Sequence, residues 1–480
     1  MSTRVGSFLF LSLLCAPAVT SAKLGSILIG GVPHVKQKPD FCGEACVEMA
    51  TARLGSRVRQ DDVFAVAGVD PALGRGVLAK ELRRAVKRLG FDPGEVWHRV
   101  DRRRPGPHVA AQFEKLHADL VAGVPSIVCM YYDGDPGATQ HFRLILGYNS
   151  KKDEVIYHEP AEAGGSYRRM SRRRLLKTWP IRYRERHDIL VRIPLRPSGK
   201  KVKVPRPARA SHSPADYAQH VMKVRETATK LRGRFKLLVE PPFVVAGDGR
   251  LRDIRHTSER LIRWSVDELK RLYFKRDPRR IITVWLFAGR RSFLANTKRL
   301  TGESPETPFG FYSPAHRALI MNIRTGGGTL VHEIVHPFME ANFPACPPWF
   351  NEGMGSLYEG VGRRNHRIWG YINWRLPGLQ RALRSRAGVP PFAALMAQNE
   401  DQFYEKDPGT NYAQSRYLVY YLQDKNLLRD YYRRFVKSHQ KDPTGLETLK
   451  RVVGAKDIAA FQRRWERYVL GLRYVRPAVK

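Results

Sequence analysis

Two histidines and a glutamate in the second half of the chain have the types and spacing that metal-assisted hydrolysis requires. Residues 326–336 read Gly-Gly-Gly-Thr-Leu-Val-His-Glu-Ile-Val-His. If they form a helix, His332 and His336 lie on one face, where both imidazoles can bind one Zn²⁺. Glu333 lies next to them, where it can accept a proton from a water molecule that the metal acidifies. The alternative is two unrelated histidines on a helix surface.

A third metal ligand is expected within residues 348–353, which read Pro-Trp-Phe-Asn-Glu-Gly. This stretch predicts the start of another helix, and Glu352 within it can supply the remaining ligand. Three protein ligands leave one tetrahedral position open for water, as a catalytic zinc site requires. Glu359 follows seven residues later on the same helical face, where it either orients a ligand or is solvated.

A cysteine in the first half of the chain is a candidate nucleophile. Residues 37–46 read Gln-Lys-Pro-Asp-Phe-Cys-Gly-Glu-Ala-Cys, a pattern that predicts a helix starting near Cys42. The positive end of a helix lowers a thiol pKa and favours the nucleophilic thiolate. Gln37 can donate to an oxyanion, His141 at the start of a strand can be the base, and Glu159 can orient it. The alternative is that each of these four residues has only a structural role.

Hydrophobic periodicity predicts the elements that position these residues. The first half has predicted helices over 43–54 and 80–89, and predicted strands over 125–132, 142–148 and 154–158. Residues 196–214 are basic and rich in Pro and Ser without an apolar period, which predicts a linker. The second half has predicted helices over 215–231 and 258–274, strands over 242–246, 281–287 and 318–323, and an almost wholly helical pattern from residue 329.

The histidine motif and its surroundings resemble the gluzincin metallopeptidases, in particular the peptidase MA-like families of exported bacterial proteins. The resemblance covers residues 242–422 and includes Phe-Gly-Phe-Tyr at 309–312, the His-Glu-Ile-Val-His helix and Trp-Phe-Asn-Glu-Gly at 349–353. It implies that the strand over residues 318–323 is a sheet edge that holds an extended peptide by strand addition.

The same resemblance implies roles for individual residues. His332, His336 and Glu352 would be the zinc ligands, and Glu333 the general base. Tyr412 lies where related families commonly have a tyrosine that steadies the oxyanion, although an aromatic residue at helical spacing can also be part of the core. Glu352 follows His336 at a shorter interval than in the thermolysin-like and aminopeptidase branches, so subsite predictions do not carry over.

The order and spacing of the cysteine-site residues resemble the bacteriocin-processing, papain-like cysteine peptidases and their wider peptidase-like relatives. The resemblance covers residues 32–180. It implies that Cys42, which precedes a glycine, is the nucleophile, that Cys46 is an inert helix cysteine and that His141 is the base. Glu159 stands where the family usually has Asp, which is one methylene shorter. A rival interpretation makes this domain a module that binds extended peptides without cutting them.

Length and charge set the expected context. A chain of 480 residues predicts two domains, and 42% hydrophobic with 27% charged residues is typical of a globular protein. The net charge of +39 comes without a nucleic-acid-binding motif, so we expect no specific nucleic-acid partner. It indicates either Arg-rich usage or work near an anionic envelope polymer. A third interpretation makes binding to such a polymer the main role.

The N-terminal residues predict an export signal. Residues 1–4 include an arginine, residues 5–19 are apolar, and Thr-Ser-Ala at 20–22 offers a cleavage site. The apolar run is too short to predict a membrane span, so we expect a secreted or periplasmic protein without a transmembrane segment after cleavage. The four remaining cysteines are too few and too scattered for a disulfide scaffold.

Together these patterns predict an exported α+β hydrolase of two domains that acts on polypeptide. The signal peptide over 1–22 precedes a papain-like cysteine peptidase domain over 23–195 and the linker over 196–214. A mostly helical gluzincin domain with a small sheet then covers residues 215–480. We expect Zn²⁺ in this last domain and peptide substrates for both sites.

Overall fold

The structure is a computed structural model that describes residues 24–56, 58–135, 138–199 and 212–475. The expected signal peptide over residues 1–22 lies outside the described residues. The chain divides into two compact units, one of Met1–Val63 with Leu78–Lys203 and the other of Phe64–Val77 with Val204–Lys480. Among the described helices, none has the length and apolar content needed to cross a membrane.

The first unit is built on an eight-stranded antiparallel sheet with the main strand order β3-β9-β4-β5-β6-β7. Two short strands complete it, since β1 pairs with β5 and β8 pairs with β9. The middle strands β4 and β5 are apolar and buried on both faces, as expected of strands covered on each side. The described strands of this unit, of which β2 and β10 lie outside the eight-stranded sheet, are β1 (Ile27–Leu28), β2 (Phe91–Asp92), β3 (Trp97–Asp101), β4 (Ser126–Tyr131), β5 (Gln140–Asn149), β6 (Glu154–His158), β7 (Arg168–Ser171), β8 (Ile181–Arg182), β9 (His187–Pro194) and β10 (Arg196–Pro197).

Helix α1 (Cys42–Arg53) is almost wholly buried and packs against β5. This packing brings the start of α1 to the strand that carries His141. The predicted helices over 43–54 and 80–89 and the three predicted strands of this half are confirmed within a few residues. The remaining helices of this part of the chain are α2 (Gln60–Ala67), α3 (Ala79–Arg88), α4 (Pro105–Val121) and α5 (Arg172–Thr178).

In the structure, both ends of the predicted linker belong to secondary-structure elements. Arg196 and Pro197 form β10, which pairs with β2 in a separate two-stranded sheet. At the other end, Pro214 is the first residue of a helix capped by Ser213, because proline is favoured at that position and Ser213 accepts from the amide of Asp216. Residues 200–211 of the predicted linker lie outside the described part of the chain.

The second unit has a mixed five-stranded sheet of order β11-β12-β13-β15-β14. The prediction that residues 318–323 form a sheet edge is wrong, because β15 lies between β13 and β14. The edge strand is instead β14, which folds back on β15 through a short hairpin and was not predicted as a strand. The five strands are β11 (Lys236–Glu240), β12 (Phe243–Gly247), β13 (Ile282–Phe287), β14 (Gly310–Ser313) and β15 (Ala318–Asn322).

Both faces of this sheet are covered, and alternation along the strands decides which residue packs where. Along β15, Leu319 and Met321 join the larger core, which contains the helices that follow the sheet. Ala318 and Ile320 on the opposite face join a smaller core with residues of the helix over Pro214–Thr229. The sheet is therefore a layer between two sets of helices.

The rest of the second unit is helical, as predicted, apart from a hairpin of β16 (Val361–Arg364) and β17 (Arg367–Gly370). Helices account for 48% and strands for 18% of the described residues, which is an α+β composition. The helices are α6 (Pro214–Thr229), α7 (Leu251–Thr257), α8 (Trp264–Leu272), α9 (Arg290–Thr301), α10 (Gly328–Asn342), α11 (Pro348–Leu357), α12 (Leu376–Arg384), α13 (Phe392–Met396), α14 (Glu400–Glu405), α15 (Pro408–Asp424), α16 (Leu428–Ser438), α17 (Leu446–Val453) and α18 (Ile458–Gly471).

Candidate metal centre and cysteine site

The two predicted histidines lie on α10 and the predicted third ligand lies on the adjacent α11. His332 Nε2 is 3.2 Å from Glu352 Oε2, and His336 Nε2 is 3.9 Å from Glu352 Oε1. Helix α11 begins at Pro348, where proline costs no backbone hydrogen bond, so Glu352 falls in its second turn. The structure thus brings together all three side chains that the sequence singled out.

The close approach of these helices depends on small residues. A methyl group on Gly355 of α11 would lie 3.1 Å from the imidazole ring of His332. A methyl group on Gly328, the first residue of α10, would lie 1.9 Å from the backbone oxygen of Glu359. Side chains at these positions would push α10 away from α11 and from the turn that follows it.

Each histidine has an oxygen partner at Nδ1. His336 Nδ1 is hydrogen-bonded to Asn351 Oδ1 at 3.1 Å, whereas His332 Nδ1 lies 3.4 Å from Glu359 Oε1, within ion-pairing distance but without hydrogen-bond geometry. Such partners favour the tautomer that carries its proton on Nδ1 and leave Nε2 as the electron-pair donor. Both Nε2 atoms face Glu352, so the two imidazoles direct lone pairs toward one carboxylate.

Glu359 is held by a cluster of its own, and it is not solvated. Arg375 donates to both of its oxygens at 2.7 and 2.9 Å, and Asn373 donates at 2.9 Å. Burial opposes the ionised form of Glu359, but Arg375 and His332 lower its pKa to about 2. Of the two roles considered for Glu359, the structure supports the one in which it orients His332.

The donor atoms fit a zinc ion. Ligand atoms of His332, His336 and Glu352 all lie within 4.8 Å of one another, and zinc bonds of roughly 2 Å can gather such atoms after small side-chain movements. Within the described residues, Oε2 of Glu352 is buried without a hydrogen bond. It faces a nitrogen lone pair 3.2 Å away, an arrangement that requires a cation or a proton between the two atoms.

The pKa shifts of the metal-free site also indicate that it needs a positively charged partner. Burial opposes the charged form of His332, yet Glu352 and Glu359 raise its pKa well above the usual value. Burial also opposes ionisation of Glu352, but His336 and His332 lower its pKa to about 2. The site therefore concentrates negative charge and attracts a positive partner, which is a proton when no metal is bound.

Glu333 lies beside the donor cluster, with Oε2 3.9 Å from His336 Nε2. The same oxygen accepts a hydrogen bond of 3.0 Å from the backbone amide of Tyr312 on the edge strand β14. Burial raises the pKa of Glu333, although His332 and His336 oppose this shift. A carboxylate with a raised pKa is suited to accept and return protons near neutral pH.

These residues line a cleft of about 510 Å³. Its wall also contains Tyr404 and the predicted Tyr412, and the hydroxyls of both interact with the carboxylate of Glu352. The hydroxyl of Tyr404 donates to Glu352 Oε1 at 2.7 Å. The ring centres of the two tyrosines are 6.2 Å apart, and the guanidinium of Arg375 lies 5.0 Å from the ring centre of Tyr412. Both tyrosines face the cleft, so Tyr412 is not simply a core residue.

Sequence reasoning missed four residues of this site: Tyr404, Asn351, Asn373 and Arg375. Asn351 stands directly before Glu352, so its position beside the predicted ligand was a usable signal. The other three reach the site through turns and helices whose packing no local pattern reveals.

The cysteine-site residues of the first unit also come together. His141 Nε2 is 2.5 Å from Glu159 Oε1, and Arg143 donates to Glu159 Oε2 at 2.7 Å. The additional methylene of a glutamate therefore does not prevent the orienting contact with the histidine. Burial raises the pKa of Glu159, but His141 and Arg143 outweigh that effect and lower it.

Cys42 is the first residue of α1, as predicted, but the pKa of its thiol shifts in the opposite direction to the one expected. Desolvation by the surrounding protein raises it to about 12, which outweighs the lowering by a hydrogen bond from the Phe142 amide. Glu44 and Asp40 raise it further.

Gln37 and Cys46 complete this region. The backbone amide of Gln37 donates to the carbonyl of Pro160 at 2.8 Å, next to Glu159. Its side-chain Oε1 is buried and, among the described residues, has no hydrogen-bond partner. Cys46 is fully buried and burial raises its pKa well above the usual value, which agrees with an inert role.

Comparison with known proteins bears on the first unit. No curated protein matches this chain. Residues 29–187, about a third of the chain, match the family model described as the Peptidase_C39 like family. This match covers Cys42, His141 and Glu159 and supports a cysteine peptidase-like domain of papain-like fold in the N-terminal part of the protein.

Proposed function

We propose that the second unit is a zinc-dependent peptidase whose metal is held by His332, His336 and Glu352. The observation that carries this proposal is the convergence of two imidazole nitrogens on the buried carboxylate of Glu352, whose Oε2 has no hydrogen bond among the described residues. Glu333 lies beside that cluster, as a general base for hydrolysis must.

A bound Zn²⁺ would supply Lewis acidity, which lowers the pKa of a water ligand and polarises a peptide carbonyl. Glu333 accepts the proton of the attacking water and passes it to the leaving amine. Its hydrogen bond from the Tyr312 amide fixes its orientation relative to β14. Asn351 and Glu359 keep the two histidines turned toward Glu352.

The edge strand β14 supports peptide as the substrate class. Within the described sheet, β14 pairs only with β15, so its other edge has no strand partner and one of its amides, that of Tyr312, donates to Glu333. Tyr312 of β14 lines the same cleft as Glu333. A peptide added along β14 would therefore pass the donor cluster. The strand that would pair with the peptide is then Gly310–Ser313, and not residues 318–323 as the sequence predicted.

Cleavage of a mixed fluorogenic peptide library tests this function. We expect turnover by the full chain with zinc supplied, loss of at least about a hundredfold on Glu333→Gln, and full retention on Cys42→Ala. Glu333→Gln keeps the shape of the side chain and removes its basicity, so the loss reports on proton transfer. If Glu333→Gln cuts the library as well as the parent chain does, the mechanism is wrong.

The raised pKa of the Cys42 thiol, whose side chain has intermediate exposure, favours a second candidate function in the first unit. A thiol with a pKa of about 12 is almost entirely protonated at neutral pH and is a weak nucleophile. The domain then binds extended peptides without cutting them, and the pairing of His141 with Glu159 preserves the architecture of its peptidase relatives. Separate sets of cleavages lost on Glu333→Gln and on Cys42→Ala would instead show that both sites hydrolyse peptides.

A further inference from the structure

A second cavity of about 440 Å³ adjoins the metal cleft of the second unit. The two cavities share part of their walls, since Tyr312, Pro314, Glu340 and Pro344 line both. Tyr312 is the residue whose amide contacts Glu333. A peptide that crosses the donor cluster along β14 can therefore place a neighbouring group in this second cavity.

The two cavities carry opposite charge. The metal cleft is lined by Glu333, Glu340, Glu352 and Glu400 without any lysine or arginine. The adjoining cavity is lined by three arginines, Arg279, Arg280 and Arg317, against the single carboxylate of Glu340. The shared wall thus separates an acidic cleft from a basic one.

The three guanidinium groups are unpaired within the described residues. None of them has a carboxylate within ion-pairing distance or a side-chain hydrogen bond, and all three residues are exposed. The carboxylate of Glu340 interacts with the Tyr312 hydroxyl in the shared wall, and its single negative charge leaves the three-arginine lining with a net positive charge. The backbone at Arg317 is left-handed, with φ of 49°, at the end of the hairpin between β14 and β15.

We propose that this arginine-lined cavity is a subsite that binds a carboxylate of the peptide substrate. Guanidinium groups recognise carboxylates through paired, charge-assisted hydrogen bonds, and three of them in one concave site favour an anion over a neutral amide. The inference rests on the proposed peptidase function and adds a substrate class to it. The carboxylate belongs either to an acidic side chain near the scissile bond or to the C-terminus of the substrate.

Peptide binding tests the subsite separately from turnover. The protein used is the full chain carrying Glu333→Gln, with zinc supplied, so that substrates bind without being consumed. Fluorescence anisotropy is measured with a set of eight-residue amidated peptides in which one Glu moves along the chain, and with the same peptides carrying Gln. A third set has neutral side chains and a free C-terminal carboxylate, which distinguishes the two sources of the group.

A matched pair of variants removes the effect of overall charge. One carries Arg279→Gln, Arg280→Gln and Arg317→Gln, and the other carries three equivalent changes at exposed arginines that line neither cavity. These control positions are Arg384, Arg386 and Arg433. Both variants lose three positive charges, so a general attraction of acidic peptides to this basic protein falls equally in each.

We expect one carboxylate position to strengthen binding by about tenfold or more, the effect of a charge-assisted hydrogen bond. The cavity variant should lose this preference and the control variant should keep it. If Glu and Gln peptides bind equally, if nothing binds, or if both variants lose the preference alike, the subsite assignment is wrong. Library turnover that still depends on Glu333 would then leave the peptidase function standing.

Discussion

At the scale of single residues, the proposed metal site is a set of side chains whose charges compensate only when a cation or a proton is bound. In the metal-free chain, the carboxylate of Glu352 stays ionised down to about pH 2, and the pKa of His332 is raised well above its usual value. Zinc would replace that proton and release it. Asn351 and Glu359 contact the remote nitrogens of the histidines, so they set the orientation of the donors without binding the metal themselves.

The state of Cys42 can be tested by alkylation as a function of pH. A pKa raised to about 12 leaves the thiol protonated at pH 7, and the reactive thiolate increases about tenfold for each unit of pH up to that value. We expect negligible reaction with iodoacetamide at pH 6–7 and a steady rise above it, with Cys42→Ser identifying the labelled residue. Rapid labelling at pH 6 that Cys42→Ser abolishes would show a stable thiolate and favour an active cysteine peptidase.

The two sites show which residue properties are visible in a sequence. The interval between His332 and His336 places them on one helical face wherever the helix lies, so local spacing was sufficient. Tyr404 contacts Glu352 from a helix 52 positions away in the chain, and such a contact depends on tertiary packing. The raised pKa of Cys42 also depends on tertiary packing. A helix terminus can be predicted from the local sequence, whereas desolvation of the thiol is decided by distant parts of the chain.

At the scale of elements, the site depends on how closely α10 approaches α11 and the turn after it. Gly328 and Gly355 permit that approach. The helices and their order were predictable from periodicity. The edge strand was not, because β14 has only four residues and is held in place by its pairing with β15.

Gly328→Ala tests the role of this packing. The new methyl group would lie 1.9 Å from the Glu359 backbone oxygen, so α10 must shift. We expect the free energy of unfolding to fall by about 1–3 kcal/mol, measured by urea denaturation. Gly471→Ala is the control, because its methyl group would meet nothing within 4 Å, and it should change stability by less than about 0.5 kcal/mol. Equal stability of the two variants would contradict a tight contact at Gly328.

At the scale of the whole molecule, one cysteine peptidase-like domain and one proposed zinc site occur in a single strongly basic chain. The net charge of +39 favours the approach of acidic substrates from solution. Within the second unit, the acidic metal cleft and the neighbouring arginine cavity would then sort such a substrate, with its peptide bond at the metal and its carboxylate at the arginines. Composition alone revealed the charge, but its local separation into two cavities required the fold.

The most direct test of this account is a zinc titration of the purified full chain against a competing chromophoric chelator. We expect one tight site per chain in the parent protein and in His256→Ala, which removes an exposed histidine from α7. His336→Ala should lose the tight site, because two ligands hold zinc much more weakly than three. A parent chain that does not compete for zinc, or a His336→Ala variant that competes as well as the parent, would contradict the assignment of the metal centre.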